Sequence, residues 1–259
     1  MTGDTTLTIG HLLVERKRRR VLRVDSLSFG LGCTVLAGAN GSGKSTFVEA
    51  LAGLVPWTGE VRIGDTPIAA GRTSDKIGYL PQVPLGLTHL TTHEAACFTH
   101  SLTTRSRRVK GTSSEVDSLL NRLGINHLRD IRIGQMSGGE RQLAYLAAVL
   151  AQRPSVLLLD EPTVGLDAVH RSLLYGIVRT LAADTAIVLT SHLVEDIAQL
   201  GEDIVVLHSG EVSFVGTVDE FARTSEPTLS RSAAIDAALI NIARSGSEVR
   251  GADTAGPGW

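Results

Sequence analysis

The stretch Gly38-Ala39-Asn40-Gly41-Ser42-Gly43-Lys44-Ser45 has the spacing G-x-x-x-x-G-K-[ST], the pattern of a loop that cradles phosphates. Its glycines let the backbone curl so that successive N–H groups point at phosphate oxygens, and the N-terminus of the helix that follows adds partial positive charge. Lys44 is placed to reach the outer phosphates of a nucleotide, and Ser45 to offer a hydroxyl to Mg²⁺. Thr46 completes the nucleotide-binding run. A glycine-rich turn with an accidental lysine would have the same composition. Here, however, the loop follows a strand pattern and opens a helix pattern, the context that phosphate binding requires.

A second group of chemically able residues closes the run Val156-Leu-Leu-Leu-Asp160, which is followed at once by Glu161. Asp160 is read as a Mg²⁺ ligand acting through water. Glu161 is read as the group that polarises or deprotonates an attacking water beside the γ-phosphate. Two acids at a strand end that cap the next helix would look the same in isolation.

The pattern of elements around these groups is strand, loop, helix. Residues 33–37 read as a short buried strand, residues 38–43 break it, and Lys44 opens a helical pattern running to about Leu54. Strand patterns at 60–63 and 76–80 are punctuated by Gly and Pro. From 87 to 153 the character is helical, with one helix over 115–123 stopped at Gly124 and a longer one over 140–152 ended by Pro154. Strands return at 156–159, 186–190 and 204–207, as in a mainly parallel sheet flanked by helices. The runs 204–208 and 211–215 flank Ser209-Gly210 as a hairpin. Beyond about Thr224 one helix is expected over 233–243, and residues after Gly246 are expected to be disordered. The expected division is 1–224 for the main domain, with its helical subdomain at 87–153, and 225–259 for a tail.

Met136-Ser137-Gly138-Gly139-Glu140-Arg-Gln142, standing between the two acid- and phosphate-bearing segments, resembles the signature of the ABC ATPase family, usually written LSGGQ. Ser137 and Glu140 also have capping-box spacing, and a capped helix start is itself an anion site, so the two readings coexist. Tyr79-Leu-Pro-Gln82 resembles that family's Q-loop, Gly165-Leu-Asp167 its D-loop and Thr190-Ser-His192 its switch-histidine segment. The resemblance spans residues 7–222. It implies a RecA-like P-loop core with a mainly parallel sheet, an antiparallel β portion and an inserted helical subdomain. It also implies ATP and Mg²⁺ as cofactors, with two chains sandwiching two nucleotides head to tail. In such a sandwich Ser137, Gly138, Gly139 and Glu140 would close over the γ-phosphate held by the opposite subunit. Gln82 would touch Mg²⁺ and the attacking water, His192 would bond the γ-phosphate, and Asp167 would link the two sites.

The family commonly places an aromatic residue ahead of the phosphate loop to stack on adenine. The corresponding stretch here is Arg16-Lys17-Arg18-Arg19-Arg20, read as a turn between two short strands. An Arg guanidinium in the aromatic's place would alter affinity or base choice. Glu140 replaces the usual Gln and Met136 the usual Leu, while Glu161 is intact, so hydrolysis is expected.

Several segments resemble stand-alone ATPase subunits of the ABC-2 exporter type, among them Ser191-His-Leu-Val-Glu-Asp-Ile197 and Gly210-Glu-Val-Ser-Phe-Val-Gly-Thr217. The partners so implied are a separate integral membrane permease and a second ATPase subunit, identical or not. Residues 82–94 are the candidate coupling surface, with Val83, Leu85, Leu87 and Leu90 either contacting the permease or packing the helical subdomain. The competing readings are a soluble ABC ATPase without transport and an importer subunit. A kinase or GTPase would not explain Ser137-Gly-Gly139 together with His192.

The bulk numbers agree. The chain has 259 residues, 42% hydrophobic and 20% charged, which suits one compact α/β domain. A net charge of −2 provides no positive field for nucleic acid, and none is expected as a partner. No window approaches eighteen consecutive apolar residues, so the chain does not span a bilayer by itself. Two widely separated cysteines, with no secretory signal pattern, point to reduced thiols in a cytoplasmic protein, and the resemblance to transporter subunits implies a place at the inner face of the membrane.

Overall fold

Two strands in which every residue is buried, Val156–Asp160 and Ala186–Ser191, lie side by side in parallel register at the centre of the fold, the pattern of a sheet covered on both faces. The computed structural model describes residues 6–103, 112–225 and 229–245. Among these the order is β1 (Leu7–Arg16), β2 (Arg19–Val24), β3 (Leu27–Phe29), β4 (Gly32–Ala37), α1 (Lys44–Leu51), β5 (Thr58–Ile63), β6 (Thr66–Pro67) and β7 (Ile77–Leu80). Helices α2 (Thr92–Thr103), α3 (Thr112–Arg122) and α4 (Gly138–Leu150) follow, and β8 (Val156–Asp160) comes next. The remainder is α5 (Ala168–Leu181), β9 (Ala186–Ser191), α6 (Val194–Leu200), β10 (Asp203–His208), β11 (Glu211–Thr217), α7 (Val218–Ala222) and α8 (Arg231–Ser245).

The strands form one sheet in the order β6-β5-β1-β2-β11-β10-β4-β9-β8-β7, with β3 paired to β1. From β10 to β7 neighbouring strands are parallel. The far half, built on β1 with β2, β3 and β5, is antiparallel. Between β7 and β8 the chain leaves the sheet to build α2, α3 and α4. This is the mixed α/β architecture expected from the alternation of elements.

Alternation along each central strand divides the core in two. Val156 and Leu158 of β8 and Val188 of β9 point toward Phe47, Val48 and Leu51 of α1 and the antiparallel strands. Leu157, Leu159, Ile187 and Leu189 point the other way, into α4, α5, α6 and α8. Each buried side chain of this size is worth about 1.5–3 kcal/mol relative to exposure. The central strands are therefore strongly fixed by burial on both faces, and their C-terminal ends are firm supports.

Differences from the expected pattern have local causes. Helix α1 stops at Leu51, short of Leu54. Gly53 takes φ +78°, and the amides of Gly53 and Leu54 turn back onto the carbonyls of Ala50 and Glu49, a Schellman ending that glycine permits. The basic run is only partly the expected turn: Arg16 ends β1 and Arg19 and Arg20 begin β2, leaving Lys17 and Arg18 alone as the connection, both at positive φ (50° and 61°). Helix α7 was too short to show in the pattern; Thr217 and Glu220 build a capping box for it. The expectation for residues after Gly246 lies outside the described residues.

Candidate nucleotide site

The phosphate loop leaves β4 at Gly38. A Cβ there would sit 2.4 Å from the Leu207 carbonyl oxygen and 2.6 Å from Ser42 Oγ, so no other residue fits this approach. Gly43, at φ +107°, begins α1 with no side-chain cap, and α1 has no acid in its first turn. By contrast Ser137, Asp167 and Thr217 cap α4, α5 and α7. The first N–H groups of α1 have no intrahelical partner, so this start is configured for an anion. Lys44 is only 5% exposed. Its Nζ donates to the carbonyls of Gly38 (2.8 Å) and Ala39 (3.2 Å). Burial pulls the Lys44 pKa down, and the nearby Glu161 and Asp160 oppose that shift. Ser42 Oγ is buried without a hydrogen-bond partner, a further polar group at the loop.

Asp160 ends β8 and is buried. Its Oδ1 accepts from Ser45 Oγ at 3.2 Å and from Thr190 Oγ1 at 2.6 Å. The next residue, Glu161, adopts φ +44°, a conformation that costs a non-glycine residue about 1–3 kcal/mol and collects at working sites. Its carboxylate is held on both sides: Oε1 lies 3.1 Å from His192 Nδ1, and Gln82 Nε2 donates to Oε2 at 3.1 Å. Lys44 Nζ is 3.9 Å from Oε1. Side chains from the ends of β4, β7, β8 and β9 thus converge just beyond the carboxyl ends of parallel strands, where open α/β sheets take their ligands. Ser45 and Asp160 are adjacent hard oxygen donors, which fits a magnesium ion that completes its shell with water and phosphate oxygens.

Lys44, Ser45, Asp160, Glu161, Gln82 and His192 are therefore brought together. Ser137, Gly138, Gly139, Glu140 and Asp167 are not part of that hydrogen-bonded cluster within one chain. Ser137 Oγ accepts the Glu140 amide (3.3 Å), and Glu140 Oε2 accepts the Ser137 amide (2.9 Å). This bond to the Ser137 amide holds the Glu140 carboxyl below its usual range. Asp167 caps α5 through the His170 amide and contacts His170 Nδ1, both at 2.9 Å. His170 in turn packs on the signature: a Cβ at Gly139 would come within 2.5 Å of its ring.

Several residues at the site carried little signal in the sequence. Asp196 is fully buried and accepts from Thr163 Oγ1 (2.6 Å), Tyr175 OH (2.6 Å) and Ser191 Oγ (2.5 Å). Those bonds join the loop after Glu161 to the end of β9. The polar pair Thr190-Ser191 closing an otherwise apolar strand was the available clue. In the basic hairpin, Arg16 pairs with Glu49 of α1 (3.2 Å) and Arg20 with Glu211 (2.8 Å), so the run is pinned beside the phosphate loop. Of the four apolar residues weighed as a coupling surface, Val83 and Leu85 are 68% and 84% exposed, while Leu87 and Leu90 pack on the core.

Comparison with known proteins gives the family and the fold. The ABC transporter family profile matches residues 25–164. A Streptomyces coelicolor protein whose name describes an ABC transporter ATP-binding protein is 40% identical, over 78% of this chain and 36% of its own length. The uncharacterized ABC transporter ATP-binding protein YxlF of Bacillus subtilis is 31% identical, over 78% of this chain and 68% of its own. The chain thus spans only about a third of the first relative's length. Among solved structures, a nucleotide-free ATP-binding cassette from an ABC transporter superposes with TM-score 0.73 at 19% identity, over 82% of this chain and 90% of that one. At that identity the match speaks for the fold.

Proposed function

The chain belongs to the ABC transporter ATPase family, and we propose that it binds and hydrolyses ATP as the motor subunit of a transporter whose membrane-spanning permease is a separate polypeptide. The observation that carries this reading is the Glu161 cluster, a carboxylate between His192 and Gln82 within 3.9 Å of Lys44. Lys44 and the uncapped start of α1 hold the phosphates. Ser45 and Asp160 hold Mg²⁺, which when bound neutralises charge on the β- and γ-phosphates. Glu161 accepts a proton from the attacking water, His192 steadies the γ-phosphate, and Gln82 orients the water. Such proton transfer is worth about 10²–10⁴-fold in rate.

In this reading ATP closes two copies head to tail, with Ser137 to Glu140 of each over the nucleotide of the other and Asp167 between the sites. The ligand shifts that equilibrium only by its differential affinity for the closed state. Exposed Val83 and Leu85 are the permease contact, and the work is done at the inner membrane face, in the direction of export. The resemblance of residues 191–197 and 210–217 to ABC-2 exporter subunits is what supports the direction, and the intact Glu161 supports turnover. Among the described residues no helix is long and apolar enough to cross a membrane, which is compatible with a permease on another chain. Pull-down of the tagged chain from detergent-solubilised native membranes, with and without ATP and Mg²⁺, tests the proposal. A co-purifying multi-spanning protein supports it, and soluble partners alone turn the reading to a non-transport ABC ATPase.

A further inference from the structure

Thr190 lies at the end of β9, fully buried, directly opposite Asp160 of β8 in the parallel ladder. Its one hydroxyl is engaged twice. It donates to Asp160 Oδ1 at 2.6 Å and accepts the Glu161 amide at 2.8 Å. The Thr190 carbonyl takes the same amide at 3.2 Å. We propose that Thr190 is the positioning residue of the hydrolytic site, a single hydroxyl that sets both carboxylates at once. The proposal deepens the reading of Asp160 and Glu161 given above and rests on it.

Three physical points carry it. A hydroxyl has one donor and two acceptor positions, and here the donor goes to an anion while an acceptor takes an amide, so the two bonds polarise one another in the favourable sense. Glu161 stands at φ +44°, which persists only where the surroundings over-determine it. The paired bonds from one residue to the Glu161 amide supply that constraint and aim the carboxylate between Gln82 and His192. Finally, Ser45 Oγ and Thr190 Oγ1 both donate to Oδ1 of Asp160, which fixes the rotation of the carboxylate and leaves Oδ2 outside these two bonds. An apolar residue of the same shape would keep the β9 packing while releasing both acids. Because reacting groups must be held tightly, a displacement of about 1 Å is enough to cost roughly 100-fold in rate.

The experiment compares Thr190→Val, Thr190→Ser and Glu161→Gln with the wild-type 259-residue chain. It measures ATP turnover, Mg²⁺ dependence, and the affinity of a fluorescent ATP analogue with Mn²⁺ and without metal. Thr190→Val should lower kcat by about 10–100-fold and weaken metal-dependent nucleotide affinity by about tenfold, with metal-free affinity unchanged. Thr190→Ser should recover turnover to within about threefold, since it restores the hydroxyl. Wild-type kcat and metal dependence in Thr190→Val, alongside an inactive Glu161→Gln, overturn the proposal. Wild-type turnover in Glu161→Gln overturns instead the reading of the site on which it rests. If the isolated chain shows no basal turnover, metal-dependent affinity decides: unchanged in Thr190→Val, the proposal is wrong. Should that variant not fold, Thr190→Cys, with a weakly hydrogen-bonding thiol, takes its place under the same criteria.

Discussion

Glu161 Oε1 lies 3.1 Å from Nδ1 of His192, across the ends of two adjacent parallel strands. With Gln82 on the other carboxylate oxygen, the Glu161 carboxylate is held from both sides, where the proposed reading makes it the base. Glu161→Gln keeps the shape and removes the basicity. Phosphate release should fall by at least about 10²-fold, while ATP binding persists and a nucleotide-trapped dimer accumulates on size-exclusion chromatography. Unchanged phosphate release would remove Glu161 from its catalytic role.

Lys44 is buried, and its ammonium rests on the carbonyls of Gly38 and Ala39, within reach of anything bound at the start of α1. A charge-assisted bond is worth about 1.5–3 kcal/mol. Lys44→Ala should therefore weaken equilibrium ATP binding by roughly 10- to 150-fold. Titration with a fluorescent ATP analogue checks this, and undiminished affinity would displace Lys44 from the phosphates.

Much of this was legible in the sequence because it is local. The phosphate loop, the apolar runs of β8 and β9 and the capping box at Ser137 and Glu140 each depend on residues within a few positions of one another. What escaped was long-range or conformational. Asp196 carries no local signal of burial, and only the fold places Thr163, Tyr175 and Ser191 around it. The positive φ of Glu161 follows from the bonds of its amide to Thr190, 29 positions away, and no local rule predicts it. Leu87 and Val83 look alike in a hydropathy pattern, yet one packs on the core and the other is 68% exposed.

Removing Asp196 should be costly because three buried hydroxyls lose their acceptor together. Each unsatisfied buried polar group costs about 1–3 kcal/mol, so Asp196→Ala should lose roughly 3 kcal/mol or more, read as the urea midpoint at unchanged slope. Asp196→Asn keeps an acceptor oxygen and should lose less. Equal stability of the alanine variant and wild type would contradict the network's structural weight.

Acid should loosen the signature helix. The Glu140 carboxyl is held below its usual range by the Ser137 amide. Its contribution to stability is thus present above the unfolded carboxylate value of about 4.3 and is lost as pH falls through the lower folded one. Glu140→Gln keeps a capping acceptor that does not titrate. Its melting temperature should fall less than that of wild type between pH 6 and 3, as defined by thermal scans across that interval. Parallel curves would rule out the cap as an acid-sensitive element.

The basic hairpin offers a direct test of base recognition. Arg16 is the last residue of β1, pinned to Glu49 by a largely exposed ion pair, a contact of the kind worth at most about 1 kcal/mol. Lys17 stands at φ +50°, where a bulky aromatic would be strained. Arg16 is therefore the better place to introduce a ring. If adenine is otherwise unstacked, Arg16→Tyr should gain about 0.5–1.5 kcal/mol of stacking, tightening ATP binding by roughly 2- to 12-fold. Lys17→Tyr should gain less and lower the melting temperature. Isothermal titration with ATP and GTP separates two causes: a gain for both nucleotides reports a stacking platform, whereas a gain for ATP with a loss for GTP reports that the Arg16 guanidinium was reading the acceptor edge of guanine. No change for either nucleotide would place the base away from this hairpin.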